Sequence, residues 1–214
     1  MVTARERLTD AMAELLWERG YAATSPNEVL ARAGVGQGSM YHHFAGKHEL
    51  AVEAFRSAIE GPVGESQGLQ GAGSPVERIE RYLTRPRPGT RGCPVGRMTQ
   101  DPQVVQDPEL IGLVAGAFRT VAERWTSAIA EAVAAGELPA TTVPADLALT
   151  LTAVLQGGYV LARAHGSQEP MDAAVRGAVA LIEAARGATT PAPLAPPPAD
   201  VPQSRTTPSI EETS

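Results

Sequence analysis

The stretch Ser25-Pro-Asn-Glu-Val-Leu-Ala-Arg-Ala-Gly-Val-Gly-Gln-Gly-Ser-Met-Tyr-His-His-Phe44 reads as two short helices joined by a tight turn. Ser25 stands where a helix cap belongs, Pro26 takes the first helical position, and Glu28 follows three residues after the serine, the spacing of a capping box. Val29, Leu30 and Ala33 supply the apolar side of this helix, Gly34 ends it, and Val35-Gly36 makes the turn. A second helix is expected from about Gln37 to Phe44, with Met40 and Phe44 four residues apart as its buried side. Two helices arranged in this way form a helix-turn-helix, and the second of them is shaped to enter a DNA major groove.

The residues at the start of that second helix suit the task. Gln37 can pair with adenine N6 and N7, Gly38 lets the backbone come close, and Ser39 can serve a base edge or a phosphate. Tyr41, His42 and His43 follow on the next turn, where hydroxyl and imidazole groups reach phosphates. Ala45-Gly46 breaks the chain and Lys47 opens a further helix, so its ammonium and the positive helix end point the same way as a phosphate clamp.

On the N-terminal side, Thr3 to Arg19 carries Leu8, Met12, Leu15 and Leu16 at helical spacing, and Gly20 stops it. Beyond Lys47 the apolar positions Leu50, Ala51, Ala54, Phe55 and Ile59 continue one helix, and Gly61 to Ser74 is expected to be a flexible connection. Pro75–Leu83, Pro108–Ala135, Ala145–Ala164 and Met171–Ala185 are further helices, separated by the breaker Arg85-Pro-Arg-Pro-Gly89 and a short piece from Cys93 to Gln100. Sustained alternation of period two is absent, so the fold class is all-α. From Gly187 onward Thr, Pro and Ala dominate, too little apolar surface to offset the entropy of ordering, and disorder is expected there.

Composition bounds the alternatives. The chain has 214 residues, 43% hydrophobic and only 4% aromatic, so its core must be built from Ala, Leu and Val. No run of about 18 apolar residues stands out, so no membrane span is expected. The N-terminus does not read as a signal peptide, and one cysteine, Cys93, makes no disulfide framework, which makes the cytoplasm the expected compartment. The formal net charge of −6 sits awkwardly with phosphate binding, and Lys47 is the sole lysine. A helical interaction module without DNA binding would explain the charge more easily but leaves Gln37-Gly38-Ser39 and Lys47 without a purpose. An enzyme is not expected: there is no Ser-His-Asp arrangement, phosphate-cradling loop or Cys/His metal spacing. His42 and His43 are helix neighbours that do not face one another, so neither a metal nor a cofactor is expected.

Gly20-Tyr21, Thr24, Ala33-Gly34-Val35, Gly38-Ser39, Tyr41-His42-His43-Phe44, Lys47 and Leu50 together closely resemble the TetR family of transcriptional regulators over residues 3 to 60. The resemblance implies that Gln37, Gly38 and Ser39 lie at the bases. It likewise puts Ser25, Asn27, Tyr41, His42, His43 and Lys47 on phosphates or neighbouring base edges. The basic arm usual before the first helix is reduced to Arg5 and Arg7. Gly92-Cys-Pro-Val-Gly96 resembles a motif of multidrug-type repressors in that family.

The resemblance also implies a DNA-binding domain over 1–47 and a helical ligand-binding and dimerisation domain over 48–187, which leaves the Pro-rich tail read from composition over 188–214. The expected partners are a palindromic double-stranded operator, a small-molecule effector that releases it, and a second copy of the chain, with the last two helices forming a four-helix bundle between subunits. Ala153, Gly157, Gly158, Ala174 and Ala178 would allow close helix approach there. Aromatic walls with a few polar groups are usual for small-molecule sites, which makes Tyr82, Cys93, Met98, Phe118, Trp125, Gln156, Tyr159 and Arg163 the candidate effector residues.

Overall fold

A computed structural model describes residues 2–188; Gly187 and Ala188, where the tail is expected to begin, instead complete the last helix, and residues 189–214 lie outside the described residues. Among them there is no strand, and the helices follow the punctuation of the sequence. Thr3 caps α1 (Ala4–Arg19) in a capping box with Glu6. Ser25 and Glu28 do the same for α2 (Pro26–Ala33), which Gly34 closes in the left-handed conformation at φ 63°. After the short α3 (Gln37–His43) comes α4 (Lys47–Glu65). The remainder comprises α5 (Pro75–Thr84), α6 (Pro102–Gln106), α7 (Pro108–Ala134), α8 (Pro144–His165) and α9 (Glu169–Ala188).

Two hydrophobic clusters organise these elements. The first takes Leu8, Met12, Leu15 and Leu16 from α1, Met40 and Phe44 at α3, and Leu50, Ala51, Ala54 and Phe55 from α4, then reaches Leu110 and Val114 at the start of α7. The second joins α5, the later half of α7, α8 and α9 around Ile79, Trp125, Ile129 and Leu151. Thus α7 belongs to both, and α4 crosses from the first toward the second. Burying a side chain such as Leu8 or Ile129 completely is worth about 2 kcal/mol.

Three features depart from the expectations. The segment 61–74 is not a loose connection: α4 runs on to Glu65, and a 3-10 turn spans Ser66–Gln70 with Ser66 and Leu69 buried. The reason is long-range. Arg124 of α7 donates to the Val63 carbonyl and, at 2.6 Å, to the Ser66 hydroxyl, while Arg78 of α5 donates to the Leu69 carbonyl at 3.1 Å. These guanidinium groups satisfy carbonyls that a helix end leaves open.

The second departure is α6, for which Asp101 accepts from the Gln103 and Val104 amides. Thirdly, α8 is long and apolar enough to cross a membrane by length and composition, with mean hydropathy 1.3 over its most apolar window. It packs against α7 and α9 and leaves Leu149, Val160 and Leu161 exposed.

Asp101 also joins distant parts of the chain. Its carboxylate accepts from the Ala22 amide at 2.8 Å, fastening the loop after α1 to the start of α6. Gly20 makes this approach possible: its φ is 90°, and a Cβ there would lie 2.8 Å from Asp101 Oδ2. Asp101→Ala removes a helix cap and strands a third amide, so urea unfolding is expected to show a loss of about 2 kcal/mol.

Candidate nucleic-acid interface and adjoining cavity

The helix-turn-helix is built as its sequence indicates. The Ser25 hydroxyl accepts from the Glu28 amide at 3.3 Å and donates to the Glu28 carboxylate at 2.8 Å, so the start of α2 is internally satisfied. Gly36 precedes α3 without any side-chain cap, which leaves the first amides of α3 open. Met40 is fully buried and Phe44 is 2% exposed, so the inner side of α3 is anchored in the first core. The opposite side is open. Gln37, Gly38, Tyr41 and His42 are exposed, Ser39 and His43 are half-buried, and Ser25 and Asn27 are exposed on α2 nearby. A Cβ built on Gly38 would meet nothing within 4 Å, so no contact inside the protein requires glycine there.

Lys47 is more confined than its sequence position suggests. Its ammonium donates to the Tyr21 carbonyl at 2.7 Å and lies 4.0 Å from the centroid of the Tyr21 ring. Burial pushes its pKa down, with Asp101 and Glu28 pulling the other way. One donor is thus committed, and two N–H groups remain on the ammonium. Gly46 gives α4 no side-chain cap, while the Glu49 carboxylate accepts from the Ala45 amide just before it.

The residues picked for effector binding gather at a different place. A cavity of about 440 Å³ between the two cores is lined by Tyr82, Cys93, Phe118, Trp125, Gln156 and Tyr159. A second space of about 690 Å³ shares four of these, Cys93, Phe118, Gln156 and Tyr159, and adds Arg163. Met98 lines neither; it is 4% exposed within the first hydrophobic cluster. Tyr82 and Trp125 meet edge to face at 5.1 Å between centroids. Burial raises the Tyr159 hydroxyl to about 12 and also lifts that of Tyr82, so both phenols stay protonated donors near neutral pH. The Cys93 thiol accepts from the Gly96 amide at 3.2 Å and from the Gln156 side-chain amide at 3.4 Å.

Among the wall residues that sequence reasoning missed, four carry cations or an indole. Arg85 and Arg87 belong to the segment taken only as a breaker, Arg91 follows it, and Trp17 comes from α1. The Trp17 indole N–H donates to the Gly92 carbonyl at 2.9 Å, and the Arg91 guanidinium lies 3.6 Å from the Trp17 ring centroid. The only signal in the sequence was the clustering of Arg85 and Arg87 just after Tyr82; nothing local places Trp17 beside residues 91 and 92.

Comparison with known proteins addresses both halves of the chain. The pattern of bacterial regulatory proteins of the tetR family matches residues 8–54, and that of the tetracyclin repressor-like C-terminal domain matches residues 74–178. An uncharacterized HTH-type transcriptional regulator of Mycobacterium tuberculosis is 29% identical over 173 residues, 78% of this chain and 88% of that protein. The HTH-type transcriptional repressor DhaR of a Mycobacterium species is 25% identical over 178 residues, 78% of this chain and 86% of its own length. Among solved structures, a TetR transcriptional regulator from Chloroflexus aurantiacus superimposes with a TM-score of 0.73 at 29% identity, covering 84% of this chain and 94% of that one.

Proposed function

Because the chain belongs to the tetR family of bacterial regulatory proteins, we propose that it is a homodimeric repressor that binds a palindromic operator and is released by a small molecule. The observation that carries the reading is the exposed side of α3. Gln37, Tyr41 and His42 face solvent there while Met40 and Phe44 hold the helix from behind. Gln37, Gly38 and Ser39 read base edges, and Gly38, which no internal contact explains, allows the backbone to approach DNA closely. Ser25, Asn27, Tyr41, His42, His43 and Lys47 contact phosphates or flanking base edges, with the uncapped start of α4 adding amide donors to the Lys47 charge. Residues 1–47 are assigned to DNA binding and 48–187 to effector binding and dimerisation, with α4 joining the two.

Dimerisation is assigned to α8 and α9. Leu149, Val160 and Leu161 on α8 and Leu181 on α9 are all at least 50% exposed, an apolar surface that a second copy would cover. Gly158 and Ala174 are engaged within one chain instead: a Cβ at Gly158 would lie 2.6 Å from the Met171 sulfur and 3.3 Å from the Ala174 methyl. Ala178 is likewise buried within the chain. The intersubunit surface is therefore drawn around Leu149, Ala153, Gly157 and Val160, which recur along one side of α8. In the dimer, two α3 helices would enter successive major grooves roughly 34 to 36 Å apart. An effector in the 440 Å³ cavity releases DNA only if it binds the non-binding arrangement more tightly.

The direct test is a gel-shift or anisotropy titration with DNA flanking the protein's own gene, against a scrambled control. Equal affinity for both would sink the operator reading. Gln37→Ala is expected to cost about 1–3 kcal/mol on the specific sequence and little on the control. Lys47→Ala is expected to weaken both sequences alike and lower the salt slope by about one. Leu149→Glu is expected to yield monomers by light scattering at micromolar concentration and to lose operator binding; an intact dimer would move the interface elsewhere.

A further inference from the structure

The cavity wall carries an uneven set of charges. Its acids are already paired: Glu14 lies 3.5 Å from Arg32, and Glu65 bridges Arg85. Arg87 is different. It is 8% exposed, and its guanidinium donates to the backbone carbonyls of Tyr82, Leu83 and Arg85, with no carboxylate among the described residues in ion-pair contact. Burial pushes its pKa down, and the neighbouring cation Arg85 adds to that. Arg85 and Arg87 both stand over the Tyr82 ring, 4.5 and 5.2 Å from its centroid.

A structural role accounts for part of this. Arg87 covers carbonyls at the C-terminal end of α5, and a helix end offers roughly half a negative charge. A full positive charge buried against half a negative one remains under-compensated, and burying a charge costs heavily unless it is paired. Unlike the hydrogen-bonded Arg87, two polar groups of the same wall have no hydrogen-bond partner among the described residues: the indole N–H of Trp125, which is fully buried, and Nε of Arg85. All of these are donors or cations. Val121, Phe118, Leu155 and Ala117 give the wall its apolar part, with Ser57, Thr152, Gln156 and Tyr159 as further neutral polar groups.

We propose that the cavity's ligand is a small amphipathic anion, a carboxylate on an apolar body, with its charge received at Arg87 and the body lying against Phe118 and Trp125. The inference rests on the assignment of this cavity as the effector site and adds the chemical class of its occupant. A carboxylate brings acceptor oxygens for the unpartnered Trp125 and Arg85 donors and the charge that Arg87 lacks. A neutral ligand brings at most the first, and a cationic one adds repulsion.

Both tryptophans of the chain, Trp17 and Trp125, line the cavity, so intrinsic fluorescence reports its occupancy. The full chain is titrated at neutral pH with three probes of one length: octanoate, octanamide and octylammonium. Octanoate is expected to bind about tenfold more tightly than octanamide, the margin of one charge-assisted hydrogen bond, and octylammonium more weakly still. Arg87→Gln is expected to bring octanoate to the level of octanamide, while Arg87→Lys keeps the preference. If Arg87→Gln fails to fold by circular dichroism, the three-probe comparison on the unaltered protein decides alone. Octanamide or octylammonium binding as tightly as octanoate would overturn the anion inference and leave the cavity as a ligand site. Failure of all three probes to bind at millimolar concentration would overturn the inference and the effector-site assignment together. Operator binding, measured separately, is untouched by either result.

Discussion

Leu50, Ala51, Ala54 and Phe55 fix the first half of α4 in the core that also holds α1 and α3, whereas Gly61, Pro62, Val63 and Glu65 at its far end line the cavity. A helix of 19 residues spans roughly 28 Å, so α4 is a single rod between the proposed DNA face and the cavity. It is held at both ends. Lys47 is bonded to the Tyr21 carbonyl, and Arg124 of α7 closes the last turn at Val63 and Ser66. His48 meets Asp107 at 2.8 Å, a further tie between α4 and the start of α7. Were α4 to break at Gly61, as its glycines and Pro62 invite, the cavity would lose a wall and the two cores would lose their rigid connection. Its continuity is therefore a tertiary effect, supported by the Arg124 guanidinium of α7 on a segment with poor helix propensity.

The charge balance gives the proposed DNA face its character. In the helices around the turn, Arg5 is held by Glu53, Arg19 by Glu28, and Arg32 by Glu18 at 2.7 Å. Each pair lies at the surface and is worth little in stability. Their effect on function is larger, because a cation bound to a carboxylate adds less to the attraction of phosphates. With a net charge of −6 and Lys47 partly committed to Tyr21, weak broad electrostatic adhesion to DNA is expected. On the proposed reading, affinity for a particular site comes from polar readout along α3 and from the open amides at the starts of α3 and α4, which favours discrimination over tight non-specific binding.

What the sequence made legible follows from the range of the interactions. The cap at Ser25 and the stop at Gly34 are settled within a few residues, and the helix they bound appears where the spacing puts it. Asp101-Pro102 carries the same helix-start signature as Asp107-Pro108, yet only the longer helix was recognised, because five residues are too few for any periodicity. The course of 61–70 was illegible for the opposite reason: Arg124 and Arg78, which hold it, lie far along the chain. At the proposed DNA face, residue types at fixed offsets identified the exposed side of α3. The cavity was legible through its aromatics but not through its cations. Arginines in a Pro-rich breaker look like solvated loop residues until Arg87 is seen buried beside Tyr82. Met98 was the converse case, an apolar residue that serves the first core rather than the cavity.

Coupling between cavity and DNA face needs a physical carrier, and two contacts supply candidates besides α4. Trp17 stands in α1, yet its ring lies against Arg91 and its N–H is bonded to Gly92, so a cavity wall is made by a residue of the DNA-binding unit. Asp101 then fastens the loop after α1 to the start of α6, near the carbonyl that receives Lys47. A ligand seated against Trp125 and Arg87 would occupy the same cavity that Trp17 helps enclose. It would shift the balance only by fitting one arrangement of that wall better than the other, and moving a two-state population from mostly bound to mostly released takes a differential affinity of about 10⁴-fold. An under-compensated buried cation is a fitting source for such a difference. Its free energy depends steeply on whether an anion is present, and Arg87 sits in the segment that leads, four residues on, to the Arg91 packed against α1.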